Sequence, residues 1–145
     1  TKNKREILSK YIKKNSTWAI GKASVREIEK FNILQASLLA MKRAIKKLNK
    51  KPTISLIDGN KLPIIRNYKL KSIIKGDQKV PSISAASIIA KVTRDKMITK
   101  IGKKFKGYYF NQNYGYGTKQ HLDAIKNLGI TPHHRKTFSP INKMK

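Results

Sequence analysis

Two aspartates, Asp58 and Asp77, have the residue type and the position to do chemistry. Each follows a short apolar run, residues 54–57 and residues 70–74, that predicts a β-strand. If the two strands lie side by side, the carboxylates converge at one edge of the sheet, where we expect them to be held rigidly and shielded from water. Hard divalent cations prefer such oxygen ligands. Two ions about 3.5–4 Å apart can steady the attacking water and the leaving oxygen of a phosphodiester, so the pair predicts a metal site for phosphodiester hydrolysis.

A simpler interpretation of both aspartates stays open, because Asp-Gly-Asn at 58–60 and Gly-Asp at 76–77 are also ordinary turn sequences. The remaining acidic residues are predicted to be structural. Asp95 lies four residues after Lys91, which is the spacing of an exposed ion pair on a helix. The others are predicted on solvated faces or in first turns of amphipathic helices: Glu6, Glu27, Glu29 and Asp123.

The histidines and one aromatic loop are further candidates for contact with a ligand. His133 and His134 have no third partner at metal-ligand spacing, so we expect them to face phosphate or to form hydrogen bonds, whereas His121 is expected to be solvated on a helix. The Tyr-Gly-Tyr-Gly sequence at 114–117 presents rings that could stack on a sugar or base and test a 2′-hydroxyl. Core packing beneath a loop explains these rings equally well.

The charge of the chain is extreme, with 34 lysines and arginines against 7 acidic residues and a net charge of +27. Charge of this density implies a polyanionic partner, and nucleic acid is the default. A coding bias toward lysine is a competing explanation. The sequence has no cysteine, no apolar run of membrane-spanning length and no signal-peptide pattern, so we expect a soluble, monomeric, cytoplasmic protein without a membrane partner.

The elements that position these residues follow from hydrophobic spacing and capping residues. Strands are predicted at residues 16–22, 54–57 and 70–74. Helices are predicted at residues 1–14, from Ser24 in a capping box, from Asn32 to the region before Pro52, from Pro81 to about residue 103, and over residues 118–128. This order predicts one α/β domain over residues 1–145, with a helical C-terminal part from about residue 104. The first helical pattern begins abruptly, as if the chain starts within a longer protein.

Several segments together resemble the prokaryotic ribonuclease HII family, which is ribonuclease H type 2. They are ISLIDGN at 54–60, KGDQKVPSISAASIIAKVTRD at 75–95, NYGYGTKQHL at 113–122, HHRKTFSP at 133–140 and ASVREIEKFNILQASLLAMKRAI at 23–45. The resemblance covers essentially the whole chain. It implies a ribonuclease H-like mixed sheet flanked by helices, with a helical C-terminal region.

The resemblance also implies an activity and a set of site residues. Members of the family cut RNA in RNA–DNA hybrids and 5′ of ribonucleotides within duplex DNA, leaving a 3′-hydroxyl and a 5′-phosphate, with Mn²⁺ or Mg²⁺ as the cofactor. Asp58 and Asp77 match the third and fourth carboxylates of the family's site, which are catalytic and bind metal. Tyr116 matches the tyrosine that packs on the ribonucleotide sugar, and Lys91 and Ser84 fall near the substrate phosphates.

The sequence departs from the family at its beginning. The family opens with a strand bearing Asp-Glu-x-Gly-Arg-Gly, which supplies its first two carboxylates, and an Asn-Asp-Ser-Lys segment follows; neither occurs in these 145 residues. Two carboxylates cannot neutralise two divalent cations. We therefore expect activity only when that segment is supplied in cis or in trans, and we expect the strand at 54–57 to expose an apolar edge without it.

Two other functions stay open. A basic domain could grip hybrid or duplex nucleic acid without cutting it, which the charge alone would support. A ribosome-associated basic protein is a further hypothesis, although it gives no reason for the two aspartates or the tyrosine loop. All of these hypotheses place the protein in contact with nucleic acid.

Overall fold

The computed structural model describes residues 1–144, which form two compact units divided after Val92. The first unit, residues 1–92, holds two long helices, a small sheet, a short helix and the start of a further long helix. The second unit, from residue 93 onward, is helical. Each unit is described by itself below.

Helix α1 (Lys2–Asn15) and helix α2 (Val25–Lys46) open the first unit. The predicted capping box begins α2, because the Ser24 hydroxyl accepts from the Glu27 amide at 3.2 Å and a Glu27 carboxylate oxygen accepts from the Ser24 amide at 2.8 Å. Arg43, further along α2, also donates to the Glu27 carboxylate. The Arg43 hydrogen bond and then the Ser24 amide lower the pKa of Glu27 to about 2.

The predicted helix start at Asn32 is confirmed. It lies inside α2, where a kink at Asn32 divides the helix into two segments. Asn32 has φ 71° and ψ 169°, and its side-chain oxygen accepts from the Gln35 amide at 3.0 Å. Of the residues that follow Asn32 in α2, Ile33 and Leu34 are exposed and Ala36 is buried. The second half of α2 thus packs through a small residue.

The strand predicted at residues 16–22 is wrong, since these residues are irregular. Their carbonyls accept from side chains at the end of α2 instead of from a strand: Arg43 of the helix donates to the Lys22 carbonyl at 2.7 Å, and Lys47, just after the helix, approaches the Ile20 carbonyl at 3.5 Å. Gly21 lies so close to α2 that a Cβ atom there would overlap the Ala40 carbonyl. The segment is therefore held against a helix.

Strands β1 (Ser55–Asp58) and β2 (Leu70–Ile73) pair in parallel, in a register that sets Ser55 opposite Leu70 and Asp58 opposite Ile73. The predicted strands are confirmed with small changes of boundary. The short helix α3 (Gly76–Lys79) follows β2. Among the described residues the sheet has these two strands, so the other edge of β1 is unpaired. The predicted α/β class is confirmed.

Helix α4 (Pro81–Lys104) has nearly the predicted bounds. Ile83, Ile89 and Val92 of this helix are buried. Ala86, Ala90 and Met97 are apolar residues of the same helix, but they are exposed. The buried stripe of α4 is narrower than the apolar sequence indicates.

The second unit contains helix α5 (Phe110–Asn113), helix α6 (Lys119–Leu128) and a 3-10 turn, Ile141–Lys143. The predicted bounds of α6 are confirmed by its caps: the Thr118 hydroxyl accepts from the His121 amide, and Gly129 follows with φ 80°. The core of this unit is a buried cluster of Tyr108, Phe110, Ala124 and Ile125. No helix among residues 1–144 is long and apolar enough to cross a membrane.

Candidate active site

The candidate site is built on the carboxyl end of β1. Parallel pairing with β2 continues one residue past Asp58, because the Gly59 amide donates to the Ile73 carbonyl at 3.0 Å. The Asp58 side chain then receives the Gly76 amide on its Oδ1 atom at 2.8 Å. A backbone N–H of the segment that follows β2 therefore fixes the orientation of the carboxylate that ends β1.

Asp77 is the next residue after that bonded glycine and lies in the first turn of α3. The prediction that the two strand ends bring these acidic residues to one edge of the sheet agrees with the parallel pairing of β1 and β2. The expected shielding from water is wrong within the described chain, since both Asp58 and Asp77 are exposed. Both carboxylates are therefore open to solvent at this edge of the sheet.

Gly76 fits its position because there is no room for a side chain. It is buried, and a Cβ atom on it would lie 2.6 Å from Ile83 Cδ1 and 3.5 Å from Asp58 Oδ1. Lys75, immediately before it, adopts the left-handed conformation with φ 54°, which is uncommon for a residue with a side chain. The Lys75-Gly76 bend thus aims an amide at Asp58 while the start of α4 packs behind it.

Ser84 and Lys91, the two predicted phosphate contacts, both lie on α4 and are both half-buried. They are seven residues apart, which is about two helical turns, so they occupy the same side of the helix. The Ser84 amide donates to the Val80 carbonyl at 3.0 Å, and its carbonyl accepts from the Ser87 hydroxyl at 2.7 Å. The Ser84 amide is therefore used inside the helix, and the side-chain hydroxyl is the group that could contact a ligand.

Tyr116, the predicted sugar contact, lies in the second unit and is 53% exposed. This exposure excludes core packing for its ring, whereas Tyr114 is half-buried. Asn113 holds the loop: its side-chain amide donates to the Tyr108 carbonyl at 2.7 Å, and its side-chain oxygen accepts from the Gly115 amide at 2.8 Å. Asn113 is not among the residues predicted from the sequence, where its only signal is its position at the start of the tyrosine loop.

Arg94 was also missed, although it contacts the same loop. Its guanidinium lies over the Tyr116 ring at 5.0 Å from the centroid, and its Nη1 atom donates to the Tyr114 carbonyl at 3.1 Å. Burial, followed by the charge of Arg94, lowers the pKa of Arg135 below its ordinary value. Two cations are thus near each other within the second unit.

The structure tests the other acidic and basic candidates. His121 is only 3% exposed, so its predicted solvation is wrong: α6 turns its ring toward the aromatic core, and Nδ1 lies 2.9 Å from the Tyr108 carbonyl. His134 has the predicted hydrogen-bonded role, since its Nδ1 accepts from the Thr131 amide at 2.8 Å. Asp95 is buried and not on the surface as predicted. Asp123 is exposed as expected.

The carboxylates at this edge of the sheet have part of what a divalent cation needs as ligands. Two exposed carboxylates, one ending β1 and one in the turn that follows β2, offer the hard oxygen ligands that Mg²⁺ and Mn²⁺ accept. No group of three or more histidine, cysteine, aspartate or glutamate side chains is arranged to hold a metal ion within residues 1–144. Asp58 and Asp77 therefore fit a divalent cation as part of a site, and further oxygen ligands are required to complete it.

These features define a class of protein: a ribonuclease H-like α/β protein with acidic residues at the carboxyl edge of a parallel sheet. The crystal structure of the ribonuclease H2 from Pyrococcus horikoshii OT3 superposes with a TM-score of 0.63 at 25% sequence identity, covering 83% of this chain and 64% of that one. The family model described as ribonuclease HII matches residues 1–141. The chain belongs to the ribonuclease HII family, a family of endonucleases.

Relatives within the family are similar over nearly the whole chain. A ribonuclease HII of Pelagibacter ubique (strain HTCC1062) is 70% identical over 99% of this chain and 77% of its own length. A ribonuclease HII of Macrococcus caseolyticus (strain JCSC5402) is 53% identical over 99% of this chain and 54% of its own length. The chain therefore spans only part of each relative.

Proposed function

We propose that this chain carries half of the carboxylate site of an endoribonuclease that cuts RNA in RNA–DNA hybrids and 5′ of ribonucleotides embedded in duplex DNA. The products are a 5′-phosphate and a 3′-hydroxyl, and the cofactor is Mn²⁺ or Mg²⁺. The observation that carries the proposal is the Asp58 carboxylate, which the Gly76 amide orients at 2.8 Å beside Asp77. Family membership supports nucleic acid as the substrate, and the charge of +27 and the lack of cysteine support a monomer in the cytoplasm.

Asp58 and Asp77 would hold divalent cations, which supply charge stabilisation for the attacking water and the leaving oxygen of the phosphodiester. The Gly76 amide keeps Asp58 Oδ1 in one orientation, so little reorganisation is needed when substrate arrives. The Tyr116 ring packs on the sugar of the ribonucleotide, and the Arg94 guanidinium limits the movement of that ring. Lys91 and the Ser84 hydroxyl contact the phosphates from one side of α4.

Two carboxylates carry two negative charges, whereas two divalent cations carry four positive charges. We infer that two further carboxylates complete the site, supplied by an Asp-Glu-x-Gly-Arg-Gly strand in cis or in trans. The unpaired edge of β1 is the place where such a strand could add. The exposed side chain of Ile54, which directly precedes β1, supports this inference.

The test is cleavage of a labelled DNA duplex that contains one ribonucleotide, in Mn²⁺, with the chain mixed with a peptide that carries the Asp-Glu-x-Gly-Arg-Gly strand. Asp58→Asn should reduce the cleavage rate about a thousandfold, because it removes several kcal/mol of transition-state stabilisation. Asp123→Asn, an exposed aspartate of α6, is the matched control and should cleave normally. The proposed nuclease activity would be contradicted if Asp58→Asn cleaved at the normal rate. It would also be contradicted if the mixture of the folded chain and the peptide did not cleave at all.

A second function is favoured by the net charge of +27: binding of hybrid or duplex nucleic acid without cutting. In that case the logarithm of affinity falls linearly with the logarithm of salt, by about 0.9 for each phosphate contacted. Asp58→Asn would then leave the affinity unchanged or raise it, because it removes a negative charge from the surface. Fluorescence anisotropy with a labelled hybrid measures this affinity independently of cleavage.

A further inference from the structure

Helix α1 turns apolar and aromatic side chains outward. Ile7 and Tyr11 are both 67% exposed and lie four residues apart, so they share one face of the helix. Lys4 and Lys14 are exposed three residues before and after this pair and extend the same face. The opposite side carries the buried Ser9. A surface helix of a globular protein normally turns its apolar side chains toward the core and its polar ones toward solvent. We therefore expect the outward face of α1 to contact a partner.

Trp18 lies just beyond the end of α1 and is 42% exposed. The Lys13 ammonium lies over its ring at 4.3 Å from the centroid. Lysine over an aromatic face gives an exposed platform that combines positive charge with a π-surface. The outward face of α1 and Trp18 thus present two exposed rings, Tyr11 and Trp18, among lysines.

The chemistry of the partner follows from the charge around these rings. Residues 1–18 contain six lysines and arginines and one glutamate, so the partner is an anion with many charges. A second copy of the chain is disfavoured, because each copy carries a net charge of +27. Exposed aromatic rings between lysines are the features by which proteins hold unpaired nucleotides: bases stack on the rings and phosphates meet the cations. Bases within a duplex are already stacked and are not free to do this.

We propose that the outward face of α1 and Trp18 form a second nucleic-acid-binding surface, which takes an unpaired strand without sequence preference. This surface does not involve Asp58 or Asp77 and therefore goes beyond the site proposed for cleavage. It would hold a single-stranded segment of a nucleic acid independently of the chemistry at the sheet edge.

The test uses the full chain and a 20-nucleotide oligo-dT, which has no secondary structure. Trp18 is the single tryptophan of the chain, so stacking of a base on it should quench the intrinsic fluorescence. Tyr11→Ala should weaken binding of fluorophore-labelled oligo-dT by about 5- to 100-fold, and Tyr11→Phe should restore it, because stacking needs a ring. Tyr11→Leu should stay weak, since it keeps apolar area but has no π-face.

A matched pair of lysine variants separates this surface from general charge. Lys10→Gln with Lys14→Gln on α1, and Lys96→Gln with Lys100→Gln on α4, each remove two exposed charges four residues apart. The α1 double variant should lower the salt slope of oligo-dT binding by roughly one unit, as about 0.7 is lost for each phosphate contact. The α4 double variant should change it much less.

The results also distinguish this surface from the cleavage site. Asp58→Asn should bind oligo-dT normally even though it does not cleave. Equal losses in the two lysine double variants, no quenching of Trp18, or full binding by Tyr11→Leu would each overturn the proposal. Binding of vesicles with anionic headgroups that is sensitive to Tyr11→Ala, without any binding of oligo-dT, would overturn it in favour of a membrane surface.

Discussion

At the scale of single residues, the orientation of Asp58 depends on a neighbour without a side chain. Gly76 gives its amide to Asp58 Oδ1 and fits between that carboxylate and Ile83 at the start of α4. Lys75 accepts a left-handed backbone to make the bend, at a cost of about 1 kcal/mol or more. The described hydrogen bond that orients the Asp58 carboxylate thus comes from a backbone amide and not from a side chain.

Gly76→Ala should therefore disturb the site through Ile83. The new Cβ would lie 2.6 Å from Ile83 Cδ1, and we expect a loss of about 1–3 kcal/mol in the free energy of unfolding from overpacking. Valine lacks that terminal methyl group, so Ile83→Val should restore part of the loss in the double variant, as a denaturation cycle would measure. Gly117→Ala, whose nearest neighbour would be Leu122 at 3.9 Å, is the control. Additive effects of the two substitutions would contradict this packing.

Arg94 supports a second residue-scale prediction. Lysine keeps the charge but lacks the planar guanidinium that lies over Tyr116 and reaches the Tyr114 carbonyl. If Tyr116 contacts the sugar as proposed, Arg94→Lys should reduce kcat/KM on the junction-ribonucleotide duplex by about tenfold. Arg135→Lys is the comparison for a neighbouring cation. A wild-type kcat/KM for Arg94→Lys, or a lowered Tm with unchanged kinetics, would show that Arg94 is only a structural residue.

At the scale of elements, the features that could be predicted from the sequence are those set by contacts between neighbouring residues. The capping box at Ser24, the cap at Asn32 and the bounds of α4 and α6 follow from hydrogen bonds between near neighbours, and they are confirmed. The predicted strand at residues 16–22 is wrong because its carbonyls accept hydrogen bonds from Arg43 of α2 and from Lys47 just after it, more than twenty residues away. The predicted solvation of His121 is wrong for the same reason, since its burial depends on a core that only the folded unit assembles.

In the candidate site, too, the features set by neighbouring residues could be predicted and those set by distant contacts could not. The position of Asp58 at a strand end could be predicted because the apolar run directly precedes it in the sequence. The Gly76 amide, the Asn113 anchor and the Arg94 stack could not, because each joins residues whose contact is set by the backbone path of a turn or a loop. Exposure of Asp58 and Asp77 depends on whatever covers the sheet edge, which local sequence does not encode.

The contact between α6 and the loop after it makes the second unit sensitive to pH. Burial, and then the nearby His121, lower the pKa of His134 from 6.5 to about 4. Because the folded pKa lies below the unfolded one, this contribution to stability is complete above pH 6.5 and is lost as the pH falls toward 4. Thermal unfolding should therefore show a falling Tm over this range, and His134→Asn should flatten the fall. His133→Asn, at an exposed neighbour whose charge makes the smallest contribution to the lowered His134 pKa, should change the slope much less; equal slopes in all three proteins would refute the assignment.

At the scale of the whole molecule, charge acts on folding and on binding in opposite directions. Thirty-four basic residues against seven acidic ones repel one another in the compact state and attract a polyanion. Seven acidic residues can pair with only a fraction of this charge; the described ion pairs include Glu27 with Arg43, and Arg94 with Asp95 at 3.8 Å. Most of the positive charge is therefore balanced by solvent ions or by a bound nucleic acid.

Salt should consequently stabilise the free protein while it weakens the complex. Raising KCl from 0.05 to 0.5 M shortens the screening length to less than about 10 Å, so we expect the Tm of the free chain to rise by about 5 °C. Over the same range the affinity for a labelled hybrid should fall by orders of magnitude, because counterion release drives binding. Combining the four glutamine substitutions at Lys10, Lys14, Lys96 and Lys100 should raise the Tm at low salt and reduce its dependence on salt. A Tm that falls with KCl, or an affinity that does not change, would mean that packing and specific contacts outweigh the net charge in this molecule.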